Sequence, residues 1–143
     1  MTVFIDTAVI MYAAGAEHPL KQPSAEILRG VAGGGIPGVT SAEVIQEIVR
    51  RFVHAGRAKL AAEIAMSALR LFSPVIPIGT DVVERLPGLI GRYPSLSARD
   101  LMHVATCMEE RIEVIVSPDR GFDAVSEVQR LDPADPAVLA MHG

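Results

Sequence analysis

The length and composition of the chain already exclude several classes of protein. Its 143 residues suffice for one domain, and a domain of this size buries about 70% of the surface that its unfolded chain exposes. The single cysteine, Cys107, excludes an intramolecular disulfide and a cysteine-based zinc cage, which predicts a reducing, cytoplasmic location. No stretch approaches the roughly 20 apolar residues of a membrane span, and the first residues do not resemble a signal peptide.

The charge balance disfavours a protein that binds nucleic acid through a basic surface. The net charge is −4 and the chain has no tryptophan, so a basic surface interleaved with aromatic residues for nucleic acid is not expected. This exclusion fails if several carboxylates surround a bound cation, because the rest of the surface is then close to neutral.

Short apolar runs alternate with segments of helical periodicity along the chain. Strands are predicted at residues 2–5, 36–39, 74–78, 113–116 and 128–132. Helices are predicted at residues 7–15, 23–33, 40–55, 57–73, 80–94 and 97–112, with a helical turn within 117–125. The helices over 40–55 and 57–73 are expected to form a hairpin, and the helix over 80–94 is expected to be disturbed at Pro87 and Gly88. Because the strands are short and apolar, the alternation favours an α/β domain over residues 1–133, with a parallel sheet covered on both faces, followed by a proline-broken tail over residues 134–143.

Carboxylates occur where ligands usually bind in such sheets, beyond the carboxyl ends of the strands. The acids at the predicted strand ends and at the helix starts beside them are Asp6, Glu43, Glu47, Asp100, Asp119 and Asp123. We therefore expect five or six carboxylates to converge on one edge of the sheet.

Three of these acids also fit a capping role at a helix start. Asp6 can cap the helix that follows it. Glu43 lies three residues after Thr40, and a capping box is its favoured interpretation. Asp100 lies three residues after Ser97, where a cap and a functional role are compatible.

The other three acids have their own structural alternatives. Glu47 can pair with Arg50 or Arg51 on an exposed helix face. Asp119 follows a proline and precedes Arg-Gly, a composition typical of a tight turn. Asp123 can cap a helix or face water.

A cluster of these acids would require a cation. Two like charges about 4 Å apart repel by about 4 kcal/mol at an effective dielectric constant near 20, so several together are stable only with a counterion. Ligands that are all oxygen favour Mg²⁺ or Mn²⁺.

Four segments resemble the acidic blocks of PIN-domain ribonucleases, in particular the toxins of VapBC-type toxin–antitoxin pairs. They read FIDTAVIMY, TSAEVIQEIVRRF, LSARDLMHVATCM and VIVSPDRGFDAV. The resemblance spans residues 3 to about 133. It implies a three-layer α/β/α sandwich with a short parallel central sheet, and an endoribonuclease dependent on Mg²⁺ or Mn²⁺ that cleaves RNA with metal-activated water.

The resemblance also implies roles for individual residues. Asp6, Glu47, Asp100 and Asp119 match the four catalytic acids, and we choose Glu47 over Glu43 because the capping box already accounts for Glu43. The expected metal ligands are Asp6, Asp100, Asp119 and Asp123. Ser117 is an auxiliary hydroxyl that orients metal-bound water, and Glu43 is an auxiliary acid.

The remaining charge is compatible with RNA. Removing Asp6, Glu47, Asp100, Asp119 and Asp123 from the 17 acids leaves 12 against 13 lysines and arginines. The basic residues available for phosphate contacts are Arg50, Arg51, Arg99 and Arg120. An ordinary solvated helix face explains the first two equally well.

Partners and alternatives complete the sequence interpretation. The toxin assignment implies an antitoxin that covers the acidic cleft, and a homodimer. The alternative function is a catalytically silent PIN-like module that binds RNA or protein. The four histidines lack zinc-binding spacing. His103, on the same predicted helix as Asp100, either lies near the site or, as the favoured interpretation, occupies the polar face of that helix.

Overall fold

The computed structural model describes residues 1–141 and contains a four-stranded sheet. The strands are β1 (Val3–Ile5), β2 (Gly38–Val39), β3 (Val114–Val116) and β4 (Gln129–Leu131). Their order is β2-β1-β3-β4, and every neighbouring pair is parallel. Ile5 lies opposite Val116, so the residues that follow β1 and β3 emerge side by side at the carboxyl edge of the sheet.

Helices cover both faces of this sheet in an α/β/α arrangement. They are α1 (Thr7–Ala14), α2 (Lys21–Ala32), α3 (Ala42–His54), α4 (Ala58–Leu71), α5 (Thr80–Val83), α6 (Leu86–Arg92), α7 (Ala98–Glu109) and α8 (Pro136–Leu139), with a 3₁₀ helix at Arg120–Ala124. All residues of β1 and β3 are buried, as expected for parallel strands packed on both sides. Helices α3 and α4 pack against each other, which confirms the predicted hairpin.

The predicted strand at residues 74–78 is wrong. One parallel bridge joins Ser41 to Ile76, with the amide of Ala42 donating to the Ile76 carbonyl at 2.8 Å and the Ile76 amide donating to Thr40 at 2.9 Å. Proline has no amide hydrogen to donate, and the prolines at 74 and 77 flank this single bridge, so the ladder does not extend.

Two helical predictions also need correction. The helix over residues 80–94, predicted to be disturbed at Pro87 and Gly88, is divided slightly earlier, between α5 and α6. Pro87 lies in the first turn of α6, where its missing amide costs least. The predicted tail contains α8, which Asp135 caps and whose Val138 is completely buried in the core. The last two residues of that tail, 142 and 143, lie outside the described residues.

Close packing beside the sheet depends on one glycine. A Cβ atom on Gly38 would lie 2.6 Å from Cγ2 of Val31 and 3.2 Å from Cγ1 of Ile5, so a larger residue would push α2 away from β2. Within residues 1–141, no helix is both long and apolar enough to cross a membrane.

Candidate metal centre

Asp6 stands at the carboxyl end of β1 and is both a helix cap and a member of the site. Its Oδ1 accepts a hydrogen bond from the Thr7 amide at 2.8 Å, which caps α1. Its Oδ2 accepts a hydrogen bond from the Ser117 hydroxyl at 2.6 Å. Only 6% of Asp6 is exposed. The capping alternative is therefore confirmed, and it holds the carboxylate beside the end of β3.

Ser117 links Asp6 to Asp119. Its oxygen accepts a hydrogen bond from the Asp119 amide at 3.0 Å while its hydroxyl donates to Asp6. The Asp119 side chain accepts from the Gly121 amide at 2.8 Å and caps the 3₁₀ helix. The predicted tight turn is present, and it brings Asp119 to the same sheet edge as Asp6.

Glu47 reaches the site from α3 and is almost fully buried, with 4% exposed. Thr7 donates its hydroxyl to Oε1 at 2.6 Å, and Arg99 of α7 pairs with Oε2 at 2.9 Å. Burial raises the pKa of Glu47, but His103, Thr7 and Arg99 lower it more, so its pKa lies below its usual value. The exposed pairing with Arg50 or Arg51 is wrong, because the partner comes from another helix.

Glu43 lies on the same helix without joining this network. Ser41 caps α3 by accepting from the Val44 amide, whereas the Thr40 hydroxyl donates to the Ile5 carbonyl at 2.9 Å. The predicted capping box between Thr40 and Glu43 is therefore wrong. Glu43 is half-buried in a shallow polar pocket that Arg50 and Arg99 also line.

Asp100 enters the site from the first turn of α7. The Ser97 oxygen accepts a hydrogen bond from the Asp100 amide at 3.1 Å, which confirms the predicted cap. Burial, followed by the charges of Asp119 and Asp6, raises the pKa of Asp100 from 3.8 to about 6. The charges of Asp119 and Asp6 therefore add to the effect of burial in disfavouring the ionised form of Asp100.

His103 lies directly beneath these acids, so its predicted place on a polar helix face is wrong. It is completely buried, and its Nε2 lies 3.4 Å from Oδ1 of Asp6 and 3.9 Å from Oε1 of Glu47. Burial lowers the pKa of His103, but Glu47, Asp6 and Asp100 raise it more, so the pKa is above its usual value. Its spacing of three residues from Asp100 was the sequence signal for this position.

Asp123 is not brought into this network. Arg130 donates from Nε to Oδ1 at 2.8 Å and from Nη2 to Oδ2 at 3.3 Å. This pairing, opposed by slight desolvation, lowers the pKa of Asp123. The expected ligand role of Asp123 therefore stays a prediction that would require its carboxylate to leave Arg130.

The predicted RNA-contacting residues occupy different positions. Arg99 is tied to Glu47, and Arg50 lines the shallow pocket of about 400 Å³ beside the start of α7. Arg51 and Arg120 are exposed, and Arg120 lies close enough to Asp123 to lower its pKa.

Comparison with known proteins identifies the family. Residues 3–128 match the PIN domain. The VapC ribonuclease Mb1869c of Mycobacterium bovis is 35% identical to this chain over 129 residues, which cover 90% of the chain and 98% of the relative. This chain belongs to the VapC ribonucleases of the PIN-domain family. Ribonuclease VapC7 of Mycobacterium tuberculosis is 31% identical over 145 residues, which cover 99% of this chain and 98% of the relative.

Solved structures share the fold of this PIN domain. The structure of FitAcB from Neisseria gonorrhoeae matches 92% of the chain with a TM-score of 0.72 and 17% identity. The structure of VapBC2 from Rickettsia felis, bound to a DNA fragment from its promoter, matches 92% with a TM-score of 0.69 and 12% identity. These likenesses support the α/β/α sandwich.

The donor set of this PIN domain suits a hard divalent cation. Asp6, Asp100 and Asp119 offer only carboxylate oxygens, the donors that Mg²⁺ and Mn²⁺ prefer, and a positive ion between them would offset the effect of Asp119 and Asp6 on Asp100. Within residues 1–141, no three acidic, histidine or cysteine side chains are placed to hold a metal ion together. Joint coordination of one ion by Asp6, Asp100 and Asp119 would therefore require their carboxylates to reorient.

Proposed function

We propose that this PIN domain is a divalent-cation-dependent endoribonuclease and the toxin of a toxin–antitoxin pair. The observation that supports the proposal is the chain of hydrogen bonds that joins Asp6, Ser117 and Asp119 at one sheet edge. Asp100 lies near enough to both aspartates for their charges to raise its pKa. Relatives that this chain covers almost completely are named ribonucleases, which supports the same activity here.

The proposed ligands are Asp6, Asp100 and Asp119. When bound, Mg²⁺ or Mn²⁺ supplies a water of lowered pKa and stabilises charge on the phosphoryl oxygens. Ser117 fixes the direction of the Asp6 carboxylate through its 2.6 Å hydrogen bond. Thr7 and Arg99 hold Glu47 ionised behind the aspartates, where its charge adds to the negative potential that attracts a cation.

Basic side chains beside the acids provide contacts for the RNA backbone. Arg50 and Arg99 line the shallow pocket next to the start of α7. Arg51 and Arg120 are exposed to solvent, where they can contact the phosphates of a bound RNA strand. Phosphate contacts of this kind position an RNA strand without reading its sequence.

The activity is tested by cleavage of single-stranded RNA with Mg²⁺ or Mn²⁺ in the parent, Asp6→Asn and Asp100→Asn. We expect both variants to lose at least about 100-fold in rate, because each removes a carboxylate ligand of the cation that stabilises the reacting phosphate. Asparagine still caps a helix, so Asp6→Asn should keep the fold. Asp135→Asn, a cap of α8, is the matched control and should cleave like the parent.

Two results would overturn this activity. If Asp6→Asn and Asp100→Asn cleave as fast as the parent, the acids are not catalytic. The chain is instead a silent binding module if the parent never cleaves RNA with any divalent ion and if both variants bind RNA with the same affinity as the parent.

The proposed partner is a cognate antitoxin, and solved relatives include a toxin–antitoxin complex from Klebsiella pneumoniae. This chain offers an apolar cavity of about 380 Å³ between α1, α2 and α4, whose lining includes Ile10, Leu28, Ile64 and Leu71. Coexpression with the product of the adjacent gene, followed by native mass measurement, is expected to give a stable complex. A chain that stays unpartnered and non-toxic would contradict this assignment, and the same masses test the homodimer predicted from the sequence.

A further inference from the structure

His103 is a completely buried side chain to which the proposed mechanism gives no role. Neither of its ring nitrogens has a hydrogen-bond partner within the described residues. Burying an unpaired polar group costs free energy, and an apolar side chain would pack against the Phe4 ring, 5.3 Å away, without that cost. The histidine at this position therefore requires an explanation outside the packing of the core.

The direction of the imidazole supplies that explanation. Nε2 lies 3.4 Å from Oδ1 of Asp6 and 3.9 Å from Oε1 of Glu47. Both distances exceed those of a normal hydrogen bond. A small rotation of either carboxylate would close the gap, and such a rotation is expected when an ion binds on the opposite side of the acids.

The same imidazole connects three segments of the site. His103 is one helical turn after Asp100, so both residues lie on one face of α7. Its two carboxylate neighbours come from the end of β1 and from α3. A donor at this point can therefore fix the relative positions of acids that are remote in sequence.

We propose that His103 is a positioning residue of the metal centre, whose Nε2–H holds Asp6 and Glu47 from the core side so that Asp6 stays directed toward a divalent cation and Glu47 stays behind it. This inference rests on the proposed function. Groups that hold the ligands of a metal without touching it typically change metal affinity by about 10- to 100-fold when they are removed.

The test measures Mn²⁺ binding by isothermal titration calorimetry without RNA, so the readout does not depend on catalysis. We expect His103→Leu to weaken Mn²⁺ binding by at least about 10-fold. His103→Gln, whose amide nitrogen can reach the place of Nε2, should bind within about threefold of the parent. Thr106→Val is the control, because Thr106 is a buried polar residue of the same helix that donates to the Met102 carbonyl, and it should bind like the parent.

The possible outcomes separate this inference from the proposed function. If the parent itself does not bind Mn²⁺, both are wrong. If the parent binds and His103→Leu binds equally well, only the role of His103 is wrong. If His103→Leu does not fold, His103→Asn replaces it, since its shorter amide cannot reach the place of Nε2, and equal Mn²⁺ affinity of the Asn and Gln variants would overturn the inference.

A measurement on the unaltered protein gives a second test. Nitrogen-15 NMR of the histidine ring is expected to show a proton on Nε2, with a signal that shifts when Mg²⁺ is added. A ring protonated only at Nδ1 would contradict the proposal, because Nε2 could not then donate to either carboxylate.

Discussion

At the scale of single residues, the acids of this PIN domain combine structural and chemical roles. Asp6 caps α1 through the Thr7 amide while its other oxygen is held by Ser117. Asp119 likewise caps the 3₁₀ helix. A cap fixes the carboxylate relative to the backbone, so these residues present their free lone pairs in a defined direction. The cap formed by Asp6 is therefore compatible with its proposed role as a ligand.

The raised pKa of Asp100 gives a prediction at this scale. Because its folded-state pKa of about 6 exceeds its ordinary value of 3.8, this group contributes stability that is fully present below about pH 4 and lost as the pH rises through about 6. We expect metal-free Asp100→Asn to be more stable than the parent near pH 7.5 by about 1–2 kcal/mol, after allowing for solvent screening of a half-exposed group.

Urea unfolding in EDTA, at about pH 4.5 and pH 7.5, checks this expectation. The difference between parent and variant should shrink at the lower pH, where the parent carboxyl is largely protonated. A variant that is no more stable than the parent at either pH would show that the acids do not repel one another in the folded protein.

At the scale of elements, α7 organises much of the site. It begins at the Ser97 cap and carries Arg99, Asp100 and His103 within its first two turns. Two of these side chains, Arg99 and His103, contact or approach Glu47 of α3. A shift in the start of α7 would therefore move Asp100 and its surroundings together.

The cap of α7 gives the prediction at this scale. Ser97→Ala removes the acceptor for the Asp100 amide and is expected to lower the free energy of unfolding by about 0.5–2 kcal/mol. It should also weaken Mn²⁺ binding, since Asp100 sits in the frayed turn. Asp135→Ala removes the cap of α8 and should leave Mn²⁺ binding unchanged. Calorimetric titration of both variants decides, and equal Mn²⁺ affinities would contradict the role given to the first turn of α7.

The elements that carry the site were predictable because their local patterns agree with the fold. β1 and β3 are apolar runs that end before Asp6 and Ser117, and α7 begins after Ser97, as the sequence indicates. The predicted caps by Asp6 and Ser97 are also present. The absence of a strand at residues 74–78 was not predictable from the sequence. Apolar composition alone does not show that only one ladder bridge forms between the two prolines of this segment.

Side-chain partners were less predictable than elements. Glu47 pairs with Arg99, which is 52 positions later in the chain, whereas sequence spacing indicates only partners on its own helix. Asp123 pairs with Arg130 across the turn before β4, and the burial of His103 depends on the sheet packing above it. Such contacts are set by tertiary packing, which periodicity does not encode.

At the scale of the whole molecule, a bound cation would join segments that are far apart in the sequence. Asp6 follows β1, Asp100 lies in the first turn of α7, and Asp119 lies shortly after β3. Because the unfolded chain cannot hold these acids together, binding to the folded state adds directly to stability.

This linkage gives the prediction at the largest scale. At a Mn²⁺ concentration about 100 times the dissociation constant, Mn²⁺ binding is expected to raise the free energy of unfolding by about 2.7 kcal/mol. For a domain of this size, this corresponds to an increase in Tm of roughly 5–10 °C. Asp6→Asn should lose most of this shift, whereas Asp123→Asn should keep it because Arg130 already engages that carboxylate. Thermal unfolding followed by circular dichroism measures the shift, and its loss in Asp123→Asn would place that residue among the ligands.

The central claim is that these aspartates share one divalent cation. Crystals of the parent soaked in Mn²⁺ and measured at a wavelength where manganese scatters anomalously test it most directly. We expect an anomalous peak within bonding distance of carboxylate oxygens from Asp6, Asp100 and Asp119. A fully soaked crystal with no peak at this sheet edge, or with its peak elsewhere on the surface, would contradict it.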